Sequence, residues 1–400
     1  MNEIKIWEFE NDQSLWIWIK LAISVKSTDL NAKLFDRSLR KIKWKIKRKL
    51  HCIFWSDEKH IMIDRDPHSG LIKASEIDET NEIKENWKEV ITAESHSCDF
   101  CDDLMIIANM DHILIFNSTS WITKKIYYPW LMNIHSVVVN NTKDKILVTS
   151  SSFDTIFEID INSWEITWEW CAWENWYNES PLWHVVTRNK DESANLENNN
   201  IKHVFISDPN QYKEKGKRWL PTKFRALSIN WAEYFDENTI WFTWLNYSKW
   251  YLLDKETGKV SSTIGWLKFP HSFKKVWNKY LVCSTENWEV VFFDEGLELS
   301  AKYSLEWIPV DVKASILVNF FRKKINMFML KPNWEWLEYC EYLGNWLYWL
   351  LDSKRSVLIL VNFYEQTYRK IGLPSSWALS QIKVIDSHWY ETLLKKPHLS

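Results

Sequence analysis

The sequence predicts an all-β protein, a β-propeller of six or seven blades with seven favoured, in which each blade is a four-stranded antiparallel sheet. Short runs rich in Val, Ile, Phe and Tyr recur along the 400 residues, and almost no stretch has the 3.6-residue periodicity of an amphipathic helix. A hairpin-like unit also repeats at about the spacing of a propeller blade. Because such small sheets bury their faces only by stacking on their neighbours, we expect a circular array.

The repeated unit is an apolar run that ends in Asp or Asn, a turn of two to five polar residues, and a second β-run. In chain order it occurs at residues 33–43, 113–125, 156–170, 250–262, 290–300 and 348–360. Its anchoring residues are separated by 81, 43, 94, 40 and 58 positions, and they are Asp36, Asn117, Asp160, Asp254, Asp294 and Asp352. A period of about 40 to 45 residues is typical of a blade. We therefore interpret the gaps of 81 and 94 positions as about two units each.

The whole chain, residues 1–400, is predicted to form one propeller domain, because no linker divides it. Residues 187–222 interrupt the β pattern with polar stretches such as "NKDESANLENNN". We interpret this segment as a long loop or insertion on one rim, where propellers usually carry their specific contacts.

Tryptophan and glycine are present in unusual numbers, 29 and 7 respectively. Many tryptophans follow Ser or Asn between two apolar runs, as Trp164, Trp288 and Trp334 do. An Asn-Gly hairpin turn normally supplies the positive φ that such a place requires. We interpret this pattern as a UGA codon that the source organism reads as glycine and that was translated as tryptophan. The alternative is a protein that is truly rich in tryptophan.

Charge and cysteine usage narrow the function classes. The formal net charge is −3, and acidic and basic residues are interspersed, so we expect no nucleic-acid partner and no membrane surface. The basic stretch at 37–50 is interpreted as a solvated edge strand, with binding to nucleic acid or to an acidic partner as the alternative. The start of the chain lacks a secretory pattern, and no apolar run approaches the roughly 20 residues of a membrane span, which predicts a cytoplasmic location.

The pair Cys98 and Cys101 has no second ligand pair, so neither a metal nor a cofactor is predicted.

Four histidines recur at matching phases of the repeat, each just before or at the start of a β-run. They are His96, His135, His184 and His271. Innermost strands line the central channel of a propeller, so we expect these side chains to converge at one mouth of it. Imidazoles there would suit metal binding, proton transfer or anion binding. The favoured alternative is that the repeat places a hydrogen-bonding residue at the same structural corner of each blade.

One stretch carries a family resemblance. Residues 131–186 contain a His, a strand, a turn, the hairpin "EIDINSWE" and the ending "WEW", and they resemble blades of the arylsulfotransferase-like propellers. Residues 250–300 resemble them more loosely. In that family a channel-facing histidine accepts a sulfuryl group, so the resemblance implies His135, His184 or His271 as the acceptor. Candidate ligand-binding residues beside them are His96, Arg188 and Arg225.

The leading functional hypothesis is a binding or scaffold protein. As a monomer, it would present the channel mouth and its rim loops to a small molecule or a protein partner. The competing class is an enzyme that transfers a sulfuryl group or hydrolyses its substrate, with His135, His184 and His271 as catalytic residues. The sequence leaves the choice between these two classes open.

Overall fold

Strands dominate the structure, a computed structural model, which confirms the all-β prediction. The described residues are 4–12, 19–27, 71–77, 88–91, 96–120, 123–209, 220, 224–244, 249–305, 337–353, 357–373, 378–385 and 388. The hairpin unit at 33–43 with Asp36, the basic stretch at 37–50 and Trp334 therefore lie outside the described residues.

Most of the described strands belong to five blades, numbered I to V, each a meander of four consecutive antiparallel strands. Five strands precede the blades: β1 (Ile4–Lys5), β2 (Glu10–Asn11), β3 (Ile19–Ser27), β4 (Leu71–Ile77) and β5 (Lys88–Ile91). Blade I is β6 (Ser97–Cys101), β7 (Leu104–Ala108), β8 (Ile113–Asn117) and β9 (Thr123–Ile126). Blade II is β10 (Ile134–Val139), β11 (Lys145–Ser150), β12 (Thr155–Asp160) and β13 (Ile166–Cys171).

A rim segment, residues 172–228, separates blades II and III. It contains β14 (Val185–Thr187), α1 (Lys190–Asn198) and β15 (His203–Phe205), and the two strands pair in parallel. The helix begins at Asn189, whose side chain accepts hydrogen bonds from the backbone N–H groups of Asp191 and Glu192, as an N-cap does. The predicted insertion at 187–222 thus contains regular structure, at least in its described part.

Three more sets of strands complete the fold. Blade III is β16 (Ile229–Tyr234), β17 (Thr239–Trp244), β18 (Lys249–Asp254) and β19 (Val260–Ile264). Blade IV is β20 (Pro270–Val276), β21 (Lys279–Ser284), β22 (Glu289–Phe293) and β23 (Leu299–Ser304). Blade V is β24 (Leu337–Gly344), β25 (Leu347–Asp352), β26 (Val357–Asn362) and β27 (Thr367–Gly372), and β28 (Ala378–Ile385) follows it. Short 3₁₀ turns lie at Ile6–Glu8, Ala172–Asn175 and Thr285–Asn287.

The two ends of the chain share one further sheet, the closing sheet, in the order β28-β3-β4-β5. Strands β1 and β2 add in parallel to the outer edges of blades IV and V, on β23 and β27. Strand β28 of the closing sheet and the first strands of the five blades contact one another in a circle. The order is β28, β6, β10, β16, β20, β24 and back to β28. These six strands surround the central channel and are called the inner strands.

The stacking of blades on one another explains why the third strands are apolar and the fourth strands are partly polar. The third strands β12, β22 and β26 are buried along almost their whole length, because each blade is covered on both faces by its neighbours. Such strands are continuous apolar runs, where a sheet with one wet face would alternate apolar and polar residues. The fourth strands β13 and β23 are only partly buried, as expected at the outside.

The predicted count of six or seven blades, with seven favoured, is wrong: the described residues contain five blades of consecutive strands, completed by the closing sheet. The long gap between Asp160 and Asp254 was interpreted as two units, but it holds the rim segment and a single blade. A second error lies in the anchor of the last unit. Asp352 ends the second strand of blade V, and the residue equivalent to Asp160 there is Asn362, which ends the third strand.

The predicted Asp or Asn anchor does shape the hairpin between the third and fourth strands. One carboxylate oxygen of Asp160 accepts hydrogen bonds from the N–H groups of Asn162 and Ser163, at 3.0 and 2.7 Å. Asn117 and Asn362 bind the N–H groups two and three residues later in the same way. A short polar side chain is needed because it replaces the backbone partners that the turn lacks.

Blades II and III are joined by one buried carboxylate, that of Glu158. Its side chain is 2% exposed and lies between the ammonium groups of Lys145, at 2.9 Å, and Lys255, which follows β18. Burial favours the neutral form, but the hydrogen bonds from Lys255 and Lys145 outweigh it and hold the pKa of Glu158 below its ordinary value of 4.5.

We expect Glu158→Gln to lower the free energy of unfolding by about 3 kcal/mol, because two partly buried ammonium groups lose their charged partner. The depressed pKa stabilises the folded protein above pH 4.5, and this contribution is lost as the pH falls through the folded-state pKa. Urea unfolding at pH 7 and pH 4 should therefore show a smaller pH effect in the variant. The exposed Glu165→Gln is the control. An unchanged stability at pH 7 would contradict the assignment.

Candidate functional site

A repeated hydrogen bond sets the inner strands in register around the channel. The side-chain oxygens of Ser97 and Ser136 accept the backbone N–H of the next inner strand, from Val137 at 3.2 Å and Ala232 at 3.3 Å. The same bond joins Gln381 to Cys98 at 2.6 Å, and Ser272 to Cys340 at 3.5 Å. These contacts define equivalent positions on successive inner strands.

The residue before each of these acceptors occupies one equivalent position near the start of the inner strand, and on β28 this residue is Ser380. His96, His135 and His271 lie there, as their matching phases predicted. Counting back from Ala232 and Cys340 places Asn230 and Glu338 at the same position. We call these five residues the mouth ring: His96, His135, Asn230, His271 and Glu338.

A β-bulge lies at or beside the mouth-ring position on the first strands of four blades, and β28 has a register shift there as well, between Leu379 and Gln381. The pairing of first and second strands shifts between Ile134 and Val137, between Ile229 and Trp231, between His271 and Phe273, and between Leu337 and Tyr339. A bulge adds a residue to one strand and re-aims its side chain. The ring residue is the extra residue on β16 and β24, it is one of two unpaired residues on β10, and on β20 it lies directly before the extra residue, Ser272.

Contacts within the ring join neighbouring inner strands. The imidazoles of His96 and His135 meet edge to face, with ring centroids 4.8 Å apart, and both residues are half-buried. Asn230 and His271 are buried, and the Asn230 amide nitrogen lies 3.1 Å from Nε2 of His271. Ser151 adds a bond from its hydroxyl to the Asn230 oxygen at 3.4 Å.

Both ring nitrogens of His271 have partners. Nδ1 lies 2.8 Å from the carbonyl oxygen of Phe269 and 2.8 Å from the Thr285 hydroxyl, which itself donates to the carbonyl of Leu337. A carbonyl only accepts, so the proton belongs on Nδ1, and Nε2 accepts from Asn230. This neutral imidazole connects blades III, IV and V.

His184 lies apart from the inner strands, in the rim segment. Its Nδ1 lies 3.0 Å from the carbonyl of Leu182, and its ring packs edge to face on Phe224. The structure therefore brings three of the four predicted histidines to equivalent inner-strand positions and leaves the fourth on the rim. The catalytic roles assigned to His135, His184 and His271 stay predictions.

The two candidate arginines are held by protein groups. Arg188 makes a two-pronged bond to Glu174, at 2.6 and 2.8 Å, a third bond to Glu169 at 2.7 Å, and stacks over Trp130. Burial disfavours its charge, but the bonds to Glu174 and Glu169 outweigh this and raise the pKa of Arg188. The arginine thus fastens the rim segment to blade II.

Arg225 is buried in the rim segment, where its Nε donates to the carbonyl of Leu220 at 2.9 Å. Burial lowers the pKa of Arg225 to about 10, and nearby Asp154 opposes that shift. Asp154 accepts N–H bonds from Leu227 and Ser228, at 3.1 and 2.6 Å, and its burial raises the pKa of the carboxyl group. Ligand binding by Arg188, Arg225 and His96 remains a prediction.

Three residues beyond the mouth ring, the inner strands carry a layer of charges that the sequence analysis missed. We call it the axial charge layer: Asp99, Glu233, Lys274, Glu341 and Lys383, with Val138 at the sixth equivalent position. The Lys383 ammonium lies 3.0 Å from Asp99, and Lys274 lies 3.8 Å from Glu233 and 3.9 Å from Glu341. With three carboxylates and two ammonium groups, the layer has a formal charge of −1.

The layer's charges are perturbed by their surroundings. Burial raises the pKa of Glu233, and the nearby lysines oppose this shift. Burial disfavours the charge on Lys383, but Asp99, Glu341 and Glu233 outweigh it and raise the pKa of that ammonium group. Trp231 donates its indole N–H to Glu233 at 3.2 Å, and Tyr339 donates its hydroxyl to Glu341 at 2.6 Å. The carboxylates are thereby held toward the axis.

Comparisons with known proteins identify the fold. No protein-family profile matches the chain, and no curated protein matches it. Among solved structures, a protein of unknown function from Bacteroides caccae is 10% identical with a TM-score of 0.50, over 79% of this chain and 94% of that one. A streptogramin B lyase is 10% identical (TM-score 0.46, 79% and 90% covered), and virginiamycin B lyase from Staphylococcus aureus is 9% identical (TM-score 0.42, 70% of each).

The Bacteroides caccae structure supports the fold described above, and an identity this low shows the fold alone. The solved structures do not show membership of the arylsulfotransferase-like family. Among the described residues, no group of three or more His, Cys, Asp or Glu side chains is arranged to hold a metal ion. In the same part of the chain, no helix has both the length and the apolar character needed to cross a bilayer.

We expect Lys383→Met to lower the free energy of unfolding by about 3 kcal/mol, because Asp99 keeps a largely buried charge without its partner. Adding Asp99→Asn should recover part of the loss, since it removes that charge. Guanidinium unfolding of the single and double variants measures the coupling. Lys259→Met, on an exposed turn, is the control. If the loss of the double variant equals the sum of the losses of Lys383→Met and Asp99→Asn measured singly, the two residues act independently.

Proposed function

We propose that this propeller is a binding protein that takes a small polar molecule, or the polar end of a partner, at the mouth ring. One observation carries the proposal: five inner strands place a hydrogen-bonding side chain at the same position, and on four of them a bulge lies at or beside that position. Half-buried His96 and His135 leave part of their rings toward solvent. Concave sites with a few convergent polar groups are the usual form of ligand sites.

The charges near the mouth favour a ligand without negative charge. Glu338 is the ring's carboxylate, and the axial charge layer three residues farther along has a formal charge of −1. The His271 imidazole, whose Nε2 accepts from Asn230, and the Asn230 amide add hydrogen-bonding capacity without charge. A ligand that donates hydrogen bonds, neutral or cationic, therefore fits better than a sulfate or phosphate ester.

The geometry supports binding more than group transfer. A histidine that accepts a sulfuryl group needs a ring nitrogen open to the donor. Both nitrogens of His271 are hydrogen-bonded, and His184 lies on the rim. His135 is the remaining candidate of the three histidines that the resemblance implies.

The proposal includes a monomer in a reducing compartment. Five described cysteines are buried free thiols, which suits the cytoplasm: Cys98, Cys101, Cys171, Cys283 and Cys340. Size-exclusion chromatography with light scattering should give the mass of one chain, 48.3 kDa. A stable dimer would contradict this part of the proposal.

The ligand class can be tested with three sugars that differ mainly in charge. By isothermal titration we expect glucosamine to bind more tightly than glucose, and glucose more tightly than glucuronate. Glu338→Gln should reduce the difference between the cationic and anionic sugars, and His135→Ala should weaken all three at least tenfold. His203→Ala, in the rim segment, should bind as the unaltered protein does. Preference for glucuronate would contradict the charge argument, and equal binding by His135→Ala would contradict the site.

A further inference from the structure

In the part of the chain that the structure describes, six tryptophans have a backbone conformation that normally belongs to glycine. Their φ angles lie between +53° and +71°, and they are Trp164, Trp176, Trp183, Trp277, Trp288 and Trp346. In the left-handed region the Cβ of an L-residue crowds the backbone, so a bulky side chain there is a genuine outlier. Glycine adopts the same φ without that penalty.

The hairpin geometry requires these angles. Asn345 and Trp346 form the two-residue loop between β24 and β25, and both have positive φ, at 49° and 62°. This is the pattern of a type I′ turn, for which Asn-Gly is the preferred sequence. Trp277 and Asn278 link β20 to β21 with positive φ at the first residue, which is where a type II′ turn takes glycine.

Blades II and III contain the same turn, with tryptophan in one and glycine in the other. In blade II the N–H of Trp164 donates to the carbonyl of Asp160 at 2.8 Å, and its φ is 62°. In blade III the N–H of Gly258 donates to the carbonyl of Asp254 at 2.9 Å, and its φ is 67°. The same turn, four residues after the same anchor, thus contains glycine in one blade and tryptophan in the other.

Packing does not compensate three of these indoles. Trp176 is 91% exposed, Trp183 77% and Trp277 59%. Three other tryptophans have ordinary negative φ angles, and their indole N–H groups donate hydrogen bonds. Trp168 donates to the carbonyl of Lys255 at 3.1 Å, Trp170 to that of Gly258 at 3.2 Å, and Trp173 to Asp154 at 3.2 Å.

We infer that the natural protein has glycine at the six left-handed positions, inserted at UGA codons, and tryptophan at 168, 170 and 173, encoded by UGG. The structure thereby sorts the tryptophans of one chain into two coding classes. The rim segment then loses the exposed indoles of Trp176 and Trp183, and blade IV loses that of Trp277.

The gene and the natural protein test the inference together. We expect UGA at all six codons, UGG at codons 168, 170 and 173, and glycine at the six positions when peptides of the protein from its source are sequenced by mass spectrometry. UGG at any of the six codons would overturn the assignment for that position, and UGG at all six would overturn the inference. UGA at 168, 170 and 173 would overturn the sorting by hydrogen bonding.

A recombinant comparison supplies a physical readout. The protein with Trp→Gly at 164, 277, 288 and 346 should melt several degrees higher than the chain as written, because four strained turns relax. The matched control with Trp→Gly at 168, 170 and 173 should melt lower, because it loses packing and three hydrogen bonds. A lower melting temperature for the first variant would overturn the inference.

Discussion

The fold depends on one recurring contact between neighbouring inner strands. The backbone N–H of one strand donates a hydrogen bond to a side-chain oxygen on the strand before it. Neighbouring blades share no backbone ladder, so packing alone would let one blade slide along another. Ser97 and Ser136 remove that freedom, because a buried N–H without a partner costs about 1 to 3 kcal/mol. Once the inner strands are in register, the residues one before and two after the contact form rings around the channel.

An ion pair between two inner strands also contributes to closure of the circle of blades. Asp99 and Lys383 come from opposite ends of the chain, and their 3.0 Å contact lies where the closing sheet meets blade I. A buried ion pair adds little net stability compared with apolar residues, but leaving one charge alone is costly. The axial charge layer therefore favours the correct closure mainly by penalising arrangements in which blade I and β28 fail to meet.

The sequence contains more of this architecture than hairpin counting revealed. The tetrads "HSCD", "HSVV" and "HSFK" begin at His96, His135 and His271, and "NWAE" and "EYCE" occupy the same register in blades III and V. Histidine phase located three of these positions. Asn230 and Glu338 were missed because their residue types differ, and the charge layer was missed because the bulge disturbs strict alternation. The blade count was wrong because hairpin spacing cannot distinguish a blade from the rim segment between Asp160 and Asp254.

The backbone strain of the six left-handed tryptophans is large compared with the net stability of a folded domain. A bulky residue held in that region costs about 1 to 3 kcal/mol, so six of them cost about 6 to 18 kcal/mol. The net stability of a folded domain is only about 5 to 15 kcal/mol. A chain that carried this strain would need compensating contacts at the turns, yet Trp176 and Trp183 lie mostly in solvent. With glycine in these turns the strain is absent, and the turns need no compensating contacts.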